Sequence, residues 1–136
     1  MPRRLPAAWR DQRGQALLET PLMFIVIFMV VFWVFELGWL MYTYSVLADA
    51  AYEGVRHAAV RSGGDATGTQ STVKTFAAAS LHNVSAMAVS VTFPDGDATP
   101  PNRVRVAVTY TYLPYLPNYI FAPTLHTYAE GRMVVQ

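Results

Sequence analysis

The residue pattern with the clearest chemical consequence lies before a long apolar run, where Glu19 follows Gly14 after four uncharged residues. A carboxylate at the start of a membrane helix is costly unless it is paired or lies near the interface. Cleavage between Gly14 and Gln15 would create an α-amino group four residues from Glu19. That amine, or the amine of a neighbouring chain, could neutralise the carboxylate inside an apolar helix bundle. A processing site at Gly14 and Gln15 would therefore give Glu19 a pairing role.

The apolar run covers residues 22–42, and Glu36 is its one charged residue. A helix rises 1.5 Å per residue, so about 20 apolar residues cross a hydrocarbon core of about 30 Å. Residues 1–14 carry four arginines and one aspartate, and basic residues beside a span favour the cytoplasmic side. We therefore predict a single-pass helix, embedded over about residues 20–44, with the N-terminus in the cytoplasm and the C-terminal domain outside.

Glu36 is a second candidate for pairing with another subunit. Trp33, Trp39, Tyr42 and Tyr44 lie towards the outer end of the span, where Trp and Tyr favour the bilayer interface. Two interpretations of Glu36 fit this position. It is either an interface-exposed glutamate that costs little, or a second charge that sets the register against a partner subunit.

The composition excludes several classes of function. The chain has no cysteine, which removes disulfides, thiolate catalysis and Cys-ligated metals. The net charge is +1 and no basic cluster follows Arg13, so nothing predicts a nucleic-acid partner. No nucleophile, zinc, phosphate-loop or dinucleotide motif is present, and the histidines lie in separate predicted elements, as His57, His82 and His126. We predict no enzyme activity, cofactor, metal site or small-molecule substrate.

The helical pattern continues past Tyr44 to about residue 61 without a breaker. Small side chains recur in it at helical spacing, and small side chains let helices approach closely. Packing on the chain's own domain and contact with neighbouring subunits both fit this stripe, whose candidate contact residues are Ala50, Ala51, Gly54 and Ala58. Glu53 and His57 are spaced for an i, i+4 pair, which we favour over a metal-binding role for His57.

Residues 62–136 are predicted to form a small extracytoplasmic head. Glycines in residues 62–68 end the long helix, and a second helix is predicted from about Thr69 to about His82. Alternating patterns predict strands at about residues 89–93, 103–112 and 127–135, which gives an α+β fold with an antiparallel sheet of about three strands. The turn 95–97 is predicted to be solvated rather than to bind calcium. The face of the second helix predicted to be buried comprises Val73, Phe76, Ala77, Ser80 and Leu81.

The connection before the last strand, residues 113–123, is unusually aromatic and apolar for a loop. Its prolines fix extended geometry. It can cap the open end of the small core, or it can present apolar side chains to another subunit, since exposed apolar patches usually mark contacts. The residues concerned are Tyr115, Tyr119, Ile120 and Phe121.

Residues 14–19 resemble the prepilin processing site of type IV pilin-like proteins, in which a prepilin peptidase cuts after the glycine and the glutamate becomes the fifth mature residue. The sequence at residues 36–38, and then Ala-Ala-Tyr-Glu-Gly-Val-Arg-His-Ala-Ala at residues 50–59, resembles the TadE-like minor pilins, or pseudopilins, of tight-adherence pili. The resemblance is densest over residues 13–61, and the tail matches only in pattern. Pro21 departs from it, because it follows Glu19 more closely than the family's proline would.

This resemblance implies a reduced pilin-like plan, with a basic leader at residues 1–14, a long helix at 15–61 and a head at 62–136. It implies a subunit of the bacterial inner membrane that takes part in assembly of a tight-adherence pilus, and so in adhesion and biofilm formation. The implied partners are membrane lipid, a prepilin peptidase, other pilins and the assembly platform.

Two other classes of protein fit the N-terminal pattern. A basic stretch followed by an apolar run is also a plain signal anchor, which would carry an extracytoplasmic binding domain. Alternatively, the run is a secretory signal peptide cleaved at Ala48-Asp49-Ala50. The pilin interpretation is favoured because it explains both Gly14 and Glu19.

Overall fold

The computed structural model describes residues 12–61, 65–115 and 122–134, with side chains described from Leu17 onward. Within these described residues two helices are followed by three strands, so the fold is α+β as predicted. The chain divides into two compact units, Met1–Leu37 and Gly38–Gln136, and the second is called the head unit below. The elements in chain order are α1 (Gln12–Val60), α2 (Ala66–Ala78), β1 (Met87–Thr92), β2 (Arg103–Thr111) and β3 (Thr124–Arg132).

The first unit contains the N-terminal part of α1, which is apolar on every side. The large apolar side chains from Leu17 to Phe35 are exposed, and Pro21 lies inside the helix. Residues Leu17–Val60 have the length and composition of a membrane-spanning helix, and the most apolar part is unburied in the monomer. A helix that is apolar all round needs an apolar environment, and within the described residues this part of α1 is unburied.

The head unit is built on an antiparallel sheet in the order β1-β2-β3. β2 is its centre and pairs with β1 and β3, for example at Val108↔Val89 and Val108↔Thr127. Alternate side chains of a strand point to opposite faces, and in β2 the three valines Val104, Val106 and Val108 are fully buried. The predicted alternation in this strand is confirmed.

The second half of α1 belongs to the head unit and closes its core. Leu47, Ala50 and Ala51 on this helix have no exposed surface. The Thr127 hydroxyl donates to the Leu47 carbonyl at 3.3 Å, and the Val134 N–H donates to the Ala59 carbonyl at 3.0 Å. β3 and the residues that follow it are therefore tied to the same helix.

The helix α2 begins and ends earlier than predicted. The carboxylate of Asp65 accepts a hydrogen bond from the Gly68 N–H at 2.8 Å and caps the first turn, so the helix starts at Ala66 instead of near Thr69. It buries Thr69, Val73 and Ala77, which are spaced by four residues.

The predicted buried face of α2 is partly wrong. Val73 and Ala77 are buried, and so is Leu81, which lies beyond the end of the helix. Phe76 is 43% exposed, because it lies beside the narrow buried row rather than within it, and Ser80 is half-buried.

Gly54 marks a close approach of α1 to the rest of the head. A Cβ atom at this position would lie 2.5 Å from Cγ2 of Val73 on α2 and 3.1 Å from Cγ1 of Val106 on β2. Both neighbours are β-branched and buried, so their methyl groups have few other positions to occupy. Gly38, in the same helix, has nothing within 4 Å of the equivalent position.

The turn at residues 95–97 is exposed, as predicted, and Asp95 joins an ion-pair network on the outer face of the sheet. Asp95 accepts hydrogen bonds from the backbone N–H of Arg103 at 2.8 Å and from its Nη2 at 2.9 Å. Arg103 and Arg105 both approach Glu130, at 3.8 and 3.4 Å, and Arg105 lies 4.2 Å above the ring of Tyr128. Hydrogen bonds from Arg103 hold the pKa of the Asp95 carboxyl below its ordinary value of 3.8.

Replacing Gly54 with alanine should destabilise the head. Overpacking a core costs about 1–3 kcal/mol, whereas alanine gains about 1 kcal/mol over glycine in a helix, so a net loss of up to about 2 kcal/mol is expected for Gly54→Ala. The matched control Gly38→Ala should leave stability unchanged or raise it. Denaturant unfolding of the full-length chain in detergent measures both, and equal stabilities would contradict the close packing at Gly54.

Asp95→Asn should destabilise the head only above the acid range. Because the folded pKa of Asp95 is lowered, its ion pair contributes stability above about pH 4 and loses that contribution as the pH falls through the folded pKa. The difference in unfolding free energy between wild type and variant should therefore be present at pH 7 and shrink below about pH 4. Asp97→Asn is the control, since the Asp97 side chain makes no ion pair within the described residues. A difference that persists unchanged in acid would contradict the assignment.

Candidate assembly site

The predicted processing site lies at the start of the long helix. α1 begins at Gln12, which puts Gly14 and Gln15 in its first turn; only their backbone is described. Residues 1–11 of the predicted leader lie outside the described residues. Cleavage after Gly14 therefore stays a prediction.

Glu19, just before the apolar run, and Glu36, within it, occupy separate positions on α1. Glu19 is exposed and Glu36 is half-buried within the described structure. Seventeen residues separate them, which is about 25 Å along a helix, and they project about 100° apart around its axis. They cannot form one site. Among the described residues no group of three or more His, Cys, Asp or Glu side chains could hold a metal ion.

The apolar side chains around these two carboxylates present a continuous surface that the described part of the chain leaves exposed. Leu22, Phe28 and Val34, spaced by six residues along it, are all more than half exposed. Burying one large apolar side chain gains about 1.5–3 kcal/mol over leaving it in water. A run of this length in water would be strongly unfavourable, and lipid or other apolar helices remove that cost.

The small residues of α1 face the head's own core. Ala50 and Ala51 are 0% exposed and Ala58 is 5% exposed, and Gly54 is buried against Val73 and Val106. Packing on the chain's own head, one of the two interpretations of the stripe, accounts for their small size. These four residues have almost no surface left for a partner while the head is folded. Their role as subunit contacts stays a prediction.

The opposite side of the same helical segment carries exposed side chains that the sequence pattern did not single out. Met41 is 73% exposed and Tyr52 is 64% exposed, and Ser45, Asp49 and Arg56 on this side are also exposed. They are spaced by three or four residues and so share one side of the helix. We call these five residues the outer face of α1. The spacing of these five residues is visible in the sequence. The exposed side could not be identified from the sequence alone, because the pattern does not show which side of the helix is buried.

His57 is held by a neighbour different from the one predicted. Its Nδ1 atom lies 3.2 Å from the hydroxyl oxygen of Thr69 on α2, and Glu53 instead approaches Arg56, at 3.8 Å. The predicted Glu53–His57 pair is therefore wrong. The imidazole is turned towards α2, while the longer Arg56 side chain reaches back one turn.

The aromatic connection before β3 is described only at its ends. Tyr115 is 68% exposed, and its ring packs edge-on against Trp39 with centroids 5.6 Å apart. The other predicted contact residues, Tyr119, Ile120 and Phe121, lie outside the described residues. Trp39 packs against the head core and, with Tyr110 and Tyr115, lines a cleft of about 230 Å³. Burial, and then the neighbouring Tyr115, raises the pKa of the Tyr110 phenol, so this hydroxyl stays neutral.

The comparison with family models matches the N-terminal part of the chain. A family model described as TadE-like protein matches residues 14–56, the segment that contains Gly14, Glu19, Glu36 and most of the small-residue stripe. No curated protein and no solved structure matches the chain.

Proposed function

We propose that this chain is a minor pilin of the Tad pilus. The premise is that residues 14–56 match the TadE-like family model, because a TadE-like domain implies a role in that pilus. In this proposal it is a single-pass protein of the bacterial inner membrane with its N-terminus in the cytoplasm. A prepilin peptidase removes residues 1–14, and the mature chain then joins other pilins. Its role is structural, in pilus assembly and so in adhesion and biofilm formation.

The observation that carries the proposal is the position of Glu19 on an uncovered apolar helix, five residues after Gly14. A carboxylate at the start of a membrane helix is costly unless it is paired or lies near the interface. Cleavage after Gly14 supplies the counter-charge, because it converts a peptide nitrogen into a cationic amine at Gln15. A plain membrane anchor gives no reason for either residue.

Assembly then follows from the energetics of helices in lipid. Lipid tails are as apolar as leucine, so helix association in a membrane depends on close packing and on polar pairs rather than on the hydrophobic effect. The uncovered apolar side chains of α1 can exchange lipid for neighbouring helices at little cost. A Glu19 carboxylate paired with an amine makes that exchange favourable and selects chains that have been processed.

The secretory alternative conflicts with the packing of the head. Cleavage at Ala48-Asp49-Ala50 would cut within α1 and remove Thr43 and Leu47, which are 1% and 0% exposed in the head. The product would lose part of its core. The anchored alternative, with an extracytoplasmic binding domain, is favoured by one observation, the aromatic cleft of about 230 Å³ beside Trp39 and Tyr115.

Processing is tested by the N-terminal residue of the mature protein. When the chain is produced together with its prepilin peptidase, intact-mass analysis should find a chain that begins at Gln15. Gly14→Ala should retain residues 1–14, because the peptidase requires the glycine, while Gly38→Ala should be processed normally. A wild-type chain that keeps its first 14 residues in cells bearing pili would overturn the pilin proposal and leave the anchored alternative.

The pairing role of Glu19 is tested separately from insertion. Glu19→Ala should enter the membrane in wild-type amounts, but its recovery with partner pilins after mild detergent extraction should fall about tenfold, which corresponds to about 1.4 kcal/mol. Glu19→Asp should restore part of the recovery, since it keeps the charge. Glu130→Gln, a change on the sheet far along the sequence, is the control. Undiminished recovery of Glu19→Ala would remove Glu19 from the mechanism.

A further inference from the structure

The strand β3 runs in the same direction as the part of α1 against which it packs. The Thr127 hydroxyl meets the Leu47 carbonyl at 3.3 Å, and further along both elements the Val134 N–H meets the Ala59 carbonyl at 3.0 Å. β2 is antiparallel to β3, so the end of β2 and the start of β3 lie together, on the side of the first helical residues of the head unit. We call this end of the head unit its base.

Large apolar and aromatic side chains are exposed at the base. Leu113 and Tyr115, which follow β2, are 60% and 68% exposed. The Tyr115 ring packs edge-on against Trp39, with centroids 5.6 Å apart, and Trp39 packs in turn against the half-exposed Tyr42 at 5.2 Å. We call Trp39, Tyr42, Leu113 and Tyr115 the base patch. The patch joins side chains from two separate parts of the chain.

The head unit is polarised between its base and its opposite end. The segments nearest the base contain no Asp, Glu, Lys or Arg, and they are residues 38–48, 79–88, 106–115 and 122–129. The same holds for the described residues that line the cleft of about 230 Å³ beside Trp39. At the opposite end of the sheet Arg103 lies across from Arg132 in the register, and Asp95 and Glu130 approach Arg103.

The base follows the apolar run of α1 without a linker. The run extends to residue 42, yet Trp39 and Leu40 already pack against the head core, and Thr43 is only 1% exposed. A bilayer that encloses the run therefore reaches the base itself. The bilayer interface is the level that Trp and Tyr side chains favour, and an uncharged base avoids the cost of bringing ionised groups towards lipid.

We propose that the base of the head contacts the lipid surface directly, with Leu113 and Tyr115 inserted where the headgroups meet the acyl chains. The base patch offers apolar and aromatic area but no cation, so the contact depends on buried apolar area and not on anionic lipid. Because α1 tethers the head at the surface, the effective concentration is high and a weak contact is sufficient. The inference goes beyond the proposed function, since it requires only that α1 spans a membrane.

Fluorescence quenching by a labelled lipid tests the contact, since the chain has no cysteine of its own. Full-length chains carry one polar fluorescent label, either at Thr124→Cys at the base or at Thr99→Cys in the turn at the opposite end; both threonines are exposed. They are reconstituted in phosphatidylcholine vesicles that contain a lipid with a nitroxide on the upper part of its acyl chain. The nitroxide should quench the label at position 124 severalfold more than the label at position 99. Equal quenching would overturn the proposal.

A charge placed in the base patch tests insertion against simple closeness to the bilayer. Leu113→Asp in the Thr124→Cys chain should reduce the quenching severalfold, because a carboxylate is costly in the lipid interface region. Val134→Asp is the matched control, since Val134 is 59% exposed but lies at the opposite end of the head, and it should leave the quenching unchanged. Both sites face water in the monomer, so the head tolerates either change. Undiminished quenching in Leu113→Asp, or an equal loss in both variants, would contradict insertion.

Lipid charge and chain density distinguish the apolar bilayer contact from two other contacts. Quenching of the label at position 124 should be the same with and without phosphatidylglycerol, and the same at one chain per vesicle as at many. A requirement for phosphatidylglycerol would indicate electrostatic attraction, and a requirement for many chains would indicate contact with a second copy. Either result would overturn the inference. Processing at Gln15 and recovery with partner pilins do not depend on this contact, so the proposed function is judged separately.

Discussion

The structure depends on one interaction, the packing of the apolar face of the small sheet against the second half of α1, with α2 in the same core. A three-stranded sheet needs an apolar face packed against something to be stable, and the fully buried valines of β2 require that cover. Small side chains on α1 allow it, because only at a residue such as Gly54 can the helix come within van der Waals contact of both Val73 and Val106. The head is thus inseparable from the helix, and a cut near Ala50 would open the core.

This packing divides the surface of α1 within the head. One side is buried in the core of the head, and the opposite side, with Asp49, Tyr52 and Arg56, remains exposed. Folding and subunit contact therefore need not compete for the same residues. In the first unit no such division exists, because the helix is apolar and exposed all round, and any side of it can face lipid or a neighbour.

The sequence predicts which helices and strands form better than it predicts where they end and which side chains they contact. The alternation of valines in β2 and the unbroken helical pattern after Tyr44 are local signals, and both elements are confirmed. The start of α2 depends on the cap at Asp65, and the end of its buried row depends on tertiary packing, so the prediction for Phe76 is wrong. The contacts of Asp95 and Glu130 with arginines join separate strands and turns, and no local pattern reports them.

The candidate site shows the same limit for a different reason. Gly14 and Glu19 could be proposed from the sequence because their spacing resembles a prepilin processing site, and their roles stay predictions. The stripe of Ala50, Ala51, Gly54 and Ala58 could not be assigned, since small residues permit close approach to a domain core and to a partner helix alike. Only their burial in the head distinguishes packing on the core from contact with a partner helix. It also shows that the opposite side of the helix is the exposed one, which the sequence pattern did not indicate.

The carboxylate proposed for assembly would act at the start of the membrane helix, where an unpaired charge is costly. A pair formed there contributes more than an ion pair on the exposed surface of the head, where water screens the interaction to about 1 kcal/mol or less. Glu19 would therefore govern whether helices associate, and the charged residues of the head would contribute little to that step.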